Sequence, residues 1–257
     1  MHESAQGRES AVPLKVVGLN SYPVKSMLGV AHERLVFDAR GAVGDRLWAL
    51  RHADGKLSSG KNSRRFRRVP GMLEHVAAYD ADGTPFVTAP DGEILRPGDP
   101  RIPERFGEGV ELAREGAESH QDAAAVSLVG TASLRALGEL LGDADPVDVR
   151  RLRKNIVVET DEPWIEESWV GHEITIGGTG ATGATGGMGD TGVAEPLRLR
   201  VTERVARCVM TTQAQTGLPA DNRVLKTLTA ARGMCIGVYA DIVTPAPLAI
   251  GDTVVAR

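Results

Sequence analysis

Short apolar runs alternate with turn residues along the first hundred positions of the chain. Strand-like runs occur in LKVVGLNSYPVKS (from Leu14), HERLVF and DRLWALRH, and turn pairs such as Arg40-Gly41 and Asp54-Gly55 separate them. The segment HVAAYDADGTPFVTAPDGEIL has the pattern of consecutive hairpins. Because Asp-Gly pairs favour tight turns between antiparallel strands, this part of the chain is predicted to be β-rich.

The pattern changes near residue 120. Within residues 123–142, AAAVSLVGTASLRALGELLG, leucines recur at helical spacing, which predicts a helix with Thr131 as its N-cap and Gly142 as its stop. Strand-like segments follow in VDVRRLRKNIVVE, HEITIG and LRLRVTERV, and the last alternates apolar with polar residues as a half-buried strand does. VLKTL predicts a short helix or turn, and GVYADIV and LAIGDTVV predict closing strands.

Two segments lack the regular spacing of apolar residues that a buried strand or helix has. The polar residues 1–12 predict a disordered lead-in, and the Gly/Thr-rich residues 177–196 predict a loop insertion. The loop contains a literal G-x-G-x-x-G at Gly178, Gly180 and Gly183. More glycines follow instead of the helix that a dinucleotide site requires, so the loop interpretation is favoured.

The composition is that of an ordinary globular protein, with 257 residues, 42% hydrophobic and 25% charged. Thirty basic against 34 acidic residues argue against a dedicated nucleic-acid binder. Two cysteines cannot form a disulfide framework, which favours a reducing compartment. No apolar run approaches the roughly 18–20 residues of a membrane helix. We therefore expect a cytoplasmic protein with no membrane partner and one large or two smaller domains.

The segment RVARCVMTTQAQTG, residues 204–217, carries the most specific chemistry. Arg204 and Arg207 lie near Cys208 in the sequence, and a neighbouring guanidinium group favours the thiolate. A thiolate can act as a nucleophile or as a soft metal ligand, and Thr211 can bind anionic oxygens. The alternative is that Cys208 is a small buried apolar residue, the usual fate of a free cysteine.

Three cationic groupings could bind an anion. They are Lys25 with Ser26, the run KNSRRFRR at 61–68, and RRLRKN at 150–155. Each alone is commonly a solvated face, but together they suit a phosphate-bearing cofactor. Nucleic acid is the rival anion, although the aromatic residues of a single-strand platform are missing: Phe66 stands alone among the basic residues.

Taken together, these segments resemble the MOSC family, named for the C-terminal domain of molybdenum cofactor sulfurase. The chain is most similar to the branch that includes the mitochondrial amidoxime-reducing component and its bacterial relatives. The resemblance covers about Leu14 to Val255 and rests on YPVKSMLG, GDRLWAL, AVSLVGTASLRAL, LRKNIVVE, EESWVGHEITIG, ARCVMTT and GVYADIVTPAPLAIGDTVV.

The resemblance implies a β-rich α+β fold with few short helices. A MOSC N-terminal β-barrel-like domain at 13–118 would precede a β-barrel MOSC domain at 119–257, with the molybdenum cofactor (molybdopterin) between them. Cys208 matches the family's molybdenum ligand and is the expected catalytic residue. The expected cofactor-binding positions are Lys25, Ser26, Arg46, Arg153, Asn155 and Arg207. Thr211 joins them, as do Ser127 and Thr131, which could replace the hydroxyl that the family often has at Gly130.

The resemblance also implies a function. We expect a molybdenum-dependent oxidoreductase that reduces small N-hydroxylated molecules: hydroxylamines, amidoximes or N-hydroxy bases. Because no ferredoxin domain with clustered cysteines is seen, electrons would come from a separate ferredoxin or cytochrome b5 type protein with its reductase. The alternative is a sulfur carrier with a persulfide on Cys208. A nucleic-acid or anion-binding module is the third possibility, and pyridoxal phosphate binding is only a family-level label.

Overall fold

A computed structural model describes residues 13–177 and 195–256. The predicted lead-in at 1–12 lies outside these ranges, as does the G-x-G-x-x-G of the predicted loop. The described strands are β1 Leu14–Ser21, β2 Val30–Ala31, β3 Arg34–Asp38, β4 Gly41–Ala42, β5 Trp48–Arg51, β6 Leu57–Ser59, β7 Phe66–Arg68, β8 Val76–Tyr79, β9 Pro85–Thr88, β10 Ile94–Leu95, β11 Glu111–Arg114, β12 Val126–Gly130, β13 Ile156–Val158, β14 Glu173–Ile176, β15 Leu197–Ala206, β16 Cys235–Thr244, β17 Ala246–Ala249 and β18 Thr253–Ala256.

Three α-helices are described: α1 Arg101–Phe106, α2 Thr131–Leu141 and α3 Arg223–Arg232. Short 3-10 turns occur at Met72–Glu74, Val149–Arg151, Ile165–Trp169 and Val209–Thr212. None of the helices among the described residues is long and apolar enough to cross a lipid bilayer.

Seven strands close into a barrel in the order β1, β13, β12, β16, β15, β14 and β18, and β18 pairs back to β1. All neighbours are antiparallel except β12 and β13. Leu197, Leu199 and Val201 of β15 are fully buried, whereas the residues between them are exposed. This period of two gives the barrel an apolar interior and confirms the predicted β-rich fold.

Three smaller sheets pack beside the barrel: β8 to β10, β11 with β5 to β7, and β17 with β3 and β4. A second apolar core, which includes Val24, Met27, Leu50 and Met72, lies under the first two. The barrel nevertheless includes β1, from the segment predicted to belong to the N-terminal domain. The boundary at 118/119 stays a prediction.

Several local predictions change in the structure. Helix α2 begins at Thr131, which is not its N-cap: that position is the extended Gly130. Gly142 ends the helix, as predicted, and it does so in the left-handed conformation. VDVRRLRKN is not a strand, because residues 149–151 form a 3-10 turn and β13 starts only at Ile156. LAIGDTVV is two strands in different sheets, and VLKTL lies within the longer helix α3.

Candidate functional site

A cavity of about 280 Å³ lies between the barrel and the smaller sheets. Its wall carries six cationic side chains, those of Lys25, Arg46, Lys61, Arg65, Arg153 and Arg207, against one carboxylate, Asp122. Ser26, Ser59, Phe66, Ser127, Leu152, Ala206, Cys208, Met210 and Tyr239 complete it. The barrel contributes Ser127 of β12, Ala206 at the end of β15 and Tyr239 from the middle of β16, and the N-terminal segment contributes loops. The excess of positive charge makes this cavity a site for an anionic ligand.

Cys208 lies just beyond the end of β15, where the chain leaves the barrel. The amide of Arg207 donates to the Met234 carbonyl at 2.8 Å, which fixes this exit against the neighbouring strand. The Cys208 carbonyl accepts bonds from the Thr211 amide at 3.1 Å and the Thr211 hydroxyl at 3.0 Å. The half-buried Cys208 side chain remains free to line the cavity. Thr211 is therefore committed to the turn that holds Cys208.

Arg207 is a cation of the cavity whose charge no carboxylate of the described residues balances. Its Nε is buried and has no hydrogen-bond partner among the described residues, and no carboxylate there forms an ion pair with it. Burial lowers the pKa of Arg207 because the charged form loses its hydration. A guanidinium retained at such a position is most stable when an anion binds to it.

Arg46 and Arg153 both lie over the ring of Tyr22, at 5.1 Å and 4.4 Å from its centroid. Arg46 forms an ion pair with the buried Asp45, whereas Arg153 donates to the Met27 carbonyl and has no carboxylate partner in the described ranges. Burial and the nearby Arg46 charge lower the pKa of Arg153 to about 10. Even so, both guanidinium groups are charged at neutral pH.

Lys25 is almost completely buried. Its Nζ donates to Asp122 Oδ1 at 2.7 Å and to the His120 carbonyl at 2.8 Å, and it lies 5.0 Å from the centroid of Phe66. Burial lowers the pKa of Lys25 to about 8, against the opposing effect of Asp122. Burial would raise the pKa of Asp122, but the Lys25 charge outweighs it and lowers that pKa to about 2. The pair is ionised at neutral pH.

The backbone is left-handed at three cavity residues. Ser26, Arg46 and Arg153 have φ values of 65°, 51° and 52°, and they are three of the five non-glycine residues with positive φ in the described ranges. Such a conformation costs about 1–2 kcal/mol for a residue with a Cβ atom. Backbone strain of this kind clusters at functional sites, where the surrounding structure holds it in place.

Ser127 and Asn155 act as a unit on one side of the cavity. The Ser127 hydroxyl donates to Asn155 Oδ1 at 3.0 Å, and Asn155 Nδ2 donates to the Asn20 carbonyl at 3.3 Å. Ser127 lines the cavity, and Asn155 lines a smaller hollow beside it. Asn155 therefore holds Ser127 in place from behind.

The structure brings most of the predicted positions together: Lys25, Ser26, Arg46, Ser127, Arg153, Arg207 and Cys208 all line the cavity. It does not bring Thr131 there. The Thr131 hydroxyl donates to the Thr160 carbonyl at 3.2 Å and accepts from the Thr160 amide at 3.0 Å. Thr131 and Thr211 therefore hold the local backbone instead of lining the cavity.

Sequence reasoning missed Tyr239 and Asp122, and it set Phe66 aside. Tyr239 lies opposite Ser127 in the register of β16 and β12, so pairing those two strands would have found it. Asp122 precedes β12 and has no motif of its own. The Phe66 ring has Lys25, Lys61 and Arg65 within 5.5 Å of its centroid. An aromatic residue among basic ones was therefore a signal for a site.

Comparisons with known proteins agree with this geometry. The "MOSC domain" family model matches residues 115–255, and the "MOSC N-terminal beta barrel domain" model matches residues 13–126. A search of curated proteins finds no match.

Among solved structures, the YUAD protein from Bacillus subtilis is 15% identical, with a TM-score of 0.51 over 95% of this chain and 94% of that chain. YiiM from Geobacillus stearothermophilus is 14% identical, with a TM-score of 0.34 over 52% and 54%. At these identities, structural likeness concerns the fold alone. The expected similarity to the amidoxime-reducing branch stays a prediction. Because both family models match this chain, it belongs to the MOSC domain family, which is associated with molybdenum cofactor binding.

Proposed function

We propose that the cavity binds a molybdenum cofactor, with the Cys208 thiolate on the metal and the cavity cations on the pterin phosphate. The observation that carries the proposal is the pairing of Cys208 with Arg207, whose buried Nε has no partner among the described residues. A thiolate is a soft ligand for a transition metal, and guanidinium groups suit phosphate. The donor set and the charge of the cavity therefore fit both ends of this cofactor.

The metal would have a single ligand from the protein. No three His, Cys, Asp or Glu side chains come together as a metal site within residues 13–177 and 195–256. In the proposal Cys208 is that ligand, and the remaining ligands belong to the cofactor. Arg153 and Arg46 are held rigidly against Tyr22, so they can bind phosphate without further ordering of their side chains.

We further propose that the protein is an oxidoreductase that reduces N-hydroxylated small molecules. When bound, the metal would supply the two electrons that, with two protons, convert the N–O bond of the substrate into an amine and water. Cys208 would hold the metal, and the cations would neutralise the cofactor's negative charge. Electrons would come from a separate ferredoxin or cytochrome b5 type protein.

The test is the molybdenum and pterin content of the protein purified from a host that makes the cofactor. We expect near-stoichiometric metal in the wild type and at least a tenfold loss in Cys208→Ser. Cys235→Ser is the matched control, because Cys235 does not line the cavity and its Sγ donates to the Gly233 carbonyl two residues away. Equal metal in Cys208→Ser and the wild type would refute the assignment. Loaded protein should then reduce an amidoxime with an artificial electron donor.

A sulfur carrier is the second candidate, because the same half-buried thiol beside Arg207 can hold a persulfide. It predicts a mass increase of one sulfur atom on Cys208 in protein without stoichiometric molybdenum. Pyridoxal phosphate has no part in either candidate.

A further inference from the structure

A second hollow adjoins the candidate site, and the proposed function does not use it. This cleft of about 710 Å³ is formed by the turn between β5 and β6, the loop that precedes β7 and residues 116–120. Its wall carries four cationic side chains, those of Arg51, Lys56, Arg64 and Arg65, and two carboxylates, Asp54 and Glu118. Arg65 also lines the cofactor cavity, so one side chain forms part of both walls.

Some charged side chains of the cleft already have ion-pair partners, and others do not. Asp54 Oδ2 is 2.8 Å from an Arg67 nitrogen and 3.9 Å from Lys56 Nζ, so its charge is already balanced. Arg64, in contrast, is exposed and has no ion pair or hydrogen bond with any residue that the structure describes. The Arg65 guanidinium has one hydrogen-bond acceptor among the described residues, the Gln121 carbonyl at 3.3 Å. Two guanidinium groups of the cleft are thus available to an anion.

His120 gives a second, independent indication of a ligand. It lines the cleft with 4% of its surface exposed, and its Nδ1 is buried without a hydrogen-bond partner in the described ranges. Its amide donates to Glu115 Oε2 at 2.5 Å and its carbonyl accepts from Lys25 Nζ at 2.8 Å, so its backbone is held firmly. The other ring nitrogen, Nε2, also has no hydrogen bond to any described residue and is not enclosed in the same way, so it is the atom that the imidazole can offer to a ligand in the cleft.

We propose that this cleft binds a phosphate-bearing small molecule, whose phosphate oxygens accept hydrogen bonds from Arg64, Arg65 and His120. Phosphate is favoured because guanidinium groups bind it in bidentate fashion and an imidazole N–H adds a third donor. The same chemistry can come from two sources. One is a nucleotide extension of the cofactor in the adjoining cavity, and the other is a phosphate ester on a substrate.

The experiment is a calorimetric titration of the purified protein with inorganic pyrophosphate at low ionic strength. We expect binding about tenfold weaker in Arg64→Ala than in the wild type, and weaker binding also in His120→Phe. Arg68→Ala is the matched control, since it removes an exposed arginine of the same segment that does not line the cleft. Equal affinity in Arg64→Ala, His120→Phe and the wild type would overturn the proposal.

Arg207→Gln separates the cleft from the cavity. If pyrophosphate binds in the cleft, this variant retains the Arg64-dependent binding; if that binding disappears in Arg207→Gln, the proposal is wrong. A failure of the molybdenum test leaves this titration unaffected, because the titration needs no cofactor.

The two sources are distinguished with cofactor-loaded protein. Loss of pyrophosphate binding together with a nucleotide on the extracted cofactor assigns the cleft to the cofactor. Retained binding with a nucleotide-free cofactor assigns it to the phosphate of a substrate.

Discussion

Arginines have opposite environments in two regions of this molecule. On the outer hairpins and helix α1, each of three guanidinium groups lies within 3.0 Å of at least one carboxylate, in the pairs Arg96–Asp80, Arg101–Asp99, Arg101–Glu93, Arg105–Asp91 and Arg105–Glu93. In the cavity, Arg153 and Arg207 have no carboxylate partner among the described residues. These two cavity arginines therefore differ from the outer ones in lacking carboxylate partners, and not in residue type.

An unpaired buried cation lowers the stability of the protein, and this energetic cost points to the cavity as a binding site. A solvated ion pair contributes little to stability, so the outer pairs can be lost without consequence. A buried cation without an anion is unfavourable, and it persists where something outside the chain balances it. Lys154 is a different case: it is fully buried, burial lowers its pKa well below the ordinary value, and it donates to the Ile236 carbonyl at 2.8 Å.

The largest expected effect comes from Arg207→Gln. Loss of a charged contact to phosphate should reduce the molybdenum content of the purified protein about tenfold or more. The unfolding midpoint of the cofactor-free protein should not fall, because the variant removes a buried charge without a partner. Metal analysis and thermal unfolding measure the two quantities. A variant that lost stability but kept its metal would contradict this prediction, because it would show that Arg207 supports the fold and not the cofactor.

Lys154→Met should stabilise the protein by about 2 kcal/mol at pH 7, because it replaces a buried amine with an apolar chain of similar length. Burial places the pKa of Lys154 well below its ordinary value, so the unfolded state binds more protons than the folded state between that lowered pKa and about 10.4. The contribution of Lys154 to wild-type stability therefore rises with pH across this window.

The gain from Lys154→Met should accordingly shrink as the pH rises toward 10. Urea unfolding at several pH values measures it. Lys226→Met, at an exposed position of α3, should change neither the stability nor its pH dependence. A gain that did not vary with pH would show that burial of the amine is not its cause.

Ser26→Gly tests the left-handed backbone of the cavity. Glycine adopts a φ of 65° without the steric cost of a Cβ atom, so the variant should be more stable by about 0.5–1 kcal/mol. Ser119→Gly, at a residue without positive φ, should show no such gain. Denaturant unfolding gives both values. A loss of stability in Ser26→Gly would mean that its hydroxyl contact with Ser59, at 3.3 Å, outweighs the strain.

Arg105→Gln should have the smallest effect. Its partners Asp91 and Glu93 are partly solvated, and water and salt replace the lost pair. The molybdenum content and the unfolding midpoint should both match the wild type within error. A clear loss of metal would contradict the division between paired outer arginines and unpaired cavity arginines.

Much of the fold could be predicted from the pattern of the chain. The alternation in 197–201, the Asp-Gly turns of the hairpins and Gly142 at the end of α2 each act over a few residues, so the sequence alone carries the signal. Predictions failed where a longer-range contact decided the structure. Thr131 is the first helical residue and not the N-cap, and its hydroxyl bonds to Thr160, 29 residues away.

The sequence by itself determined a β-rich chain, the motif around Cys208 and an abundance of cations. Only the tertiary structure decided which cations remain without carboxylates, that Tyr239 lies opposite Ser127, and that Arg65 is shared between the cavity and the cleft. The reason is physical: local patterns reflect backbone preferences of neighbouring residues. Charge compensation, in contrast, depends on groups that closure of the barrel brings together from distant parts of the chain.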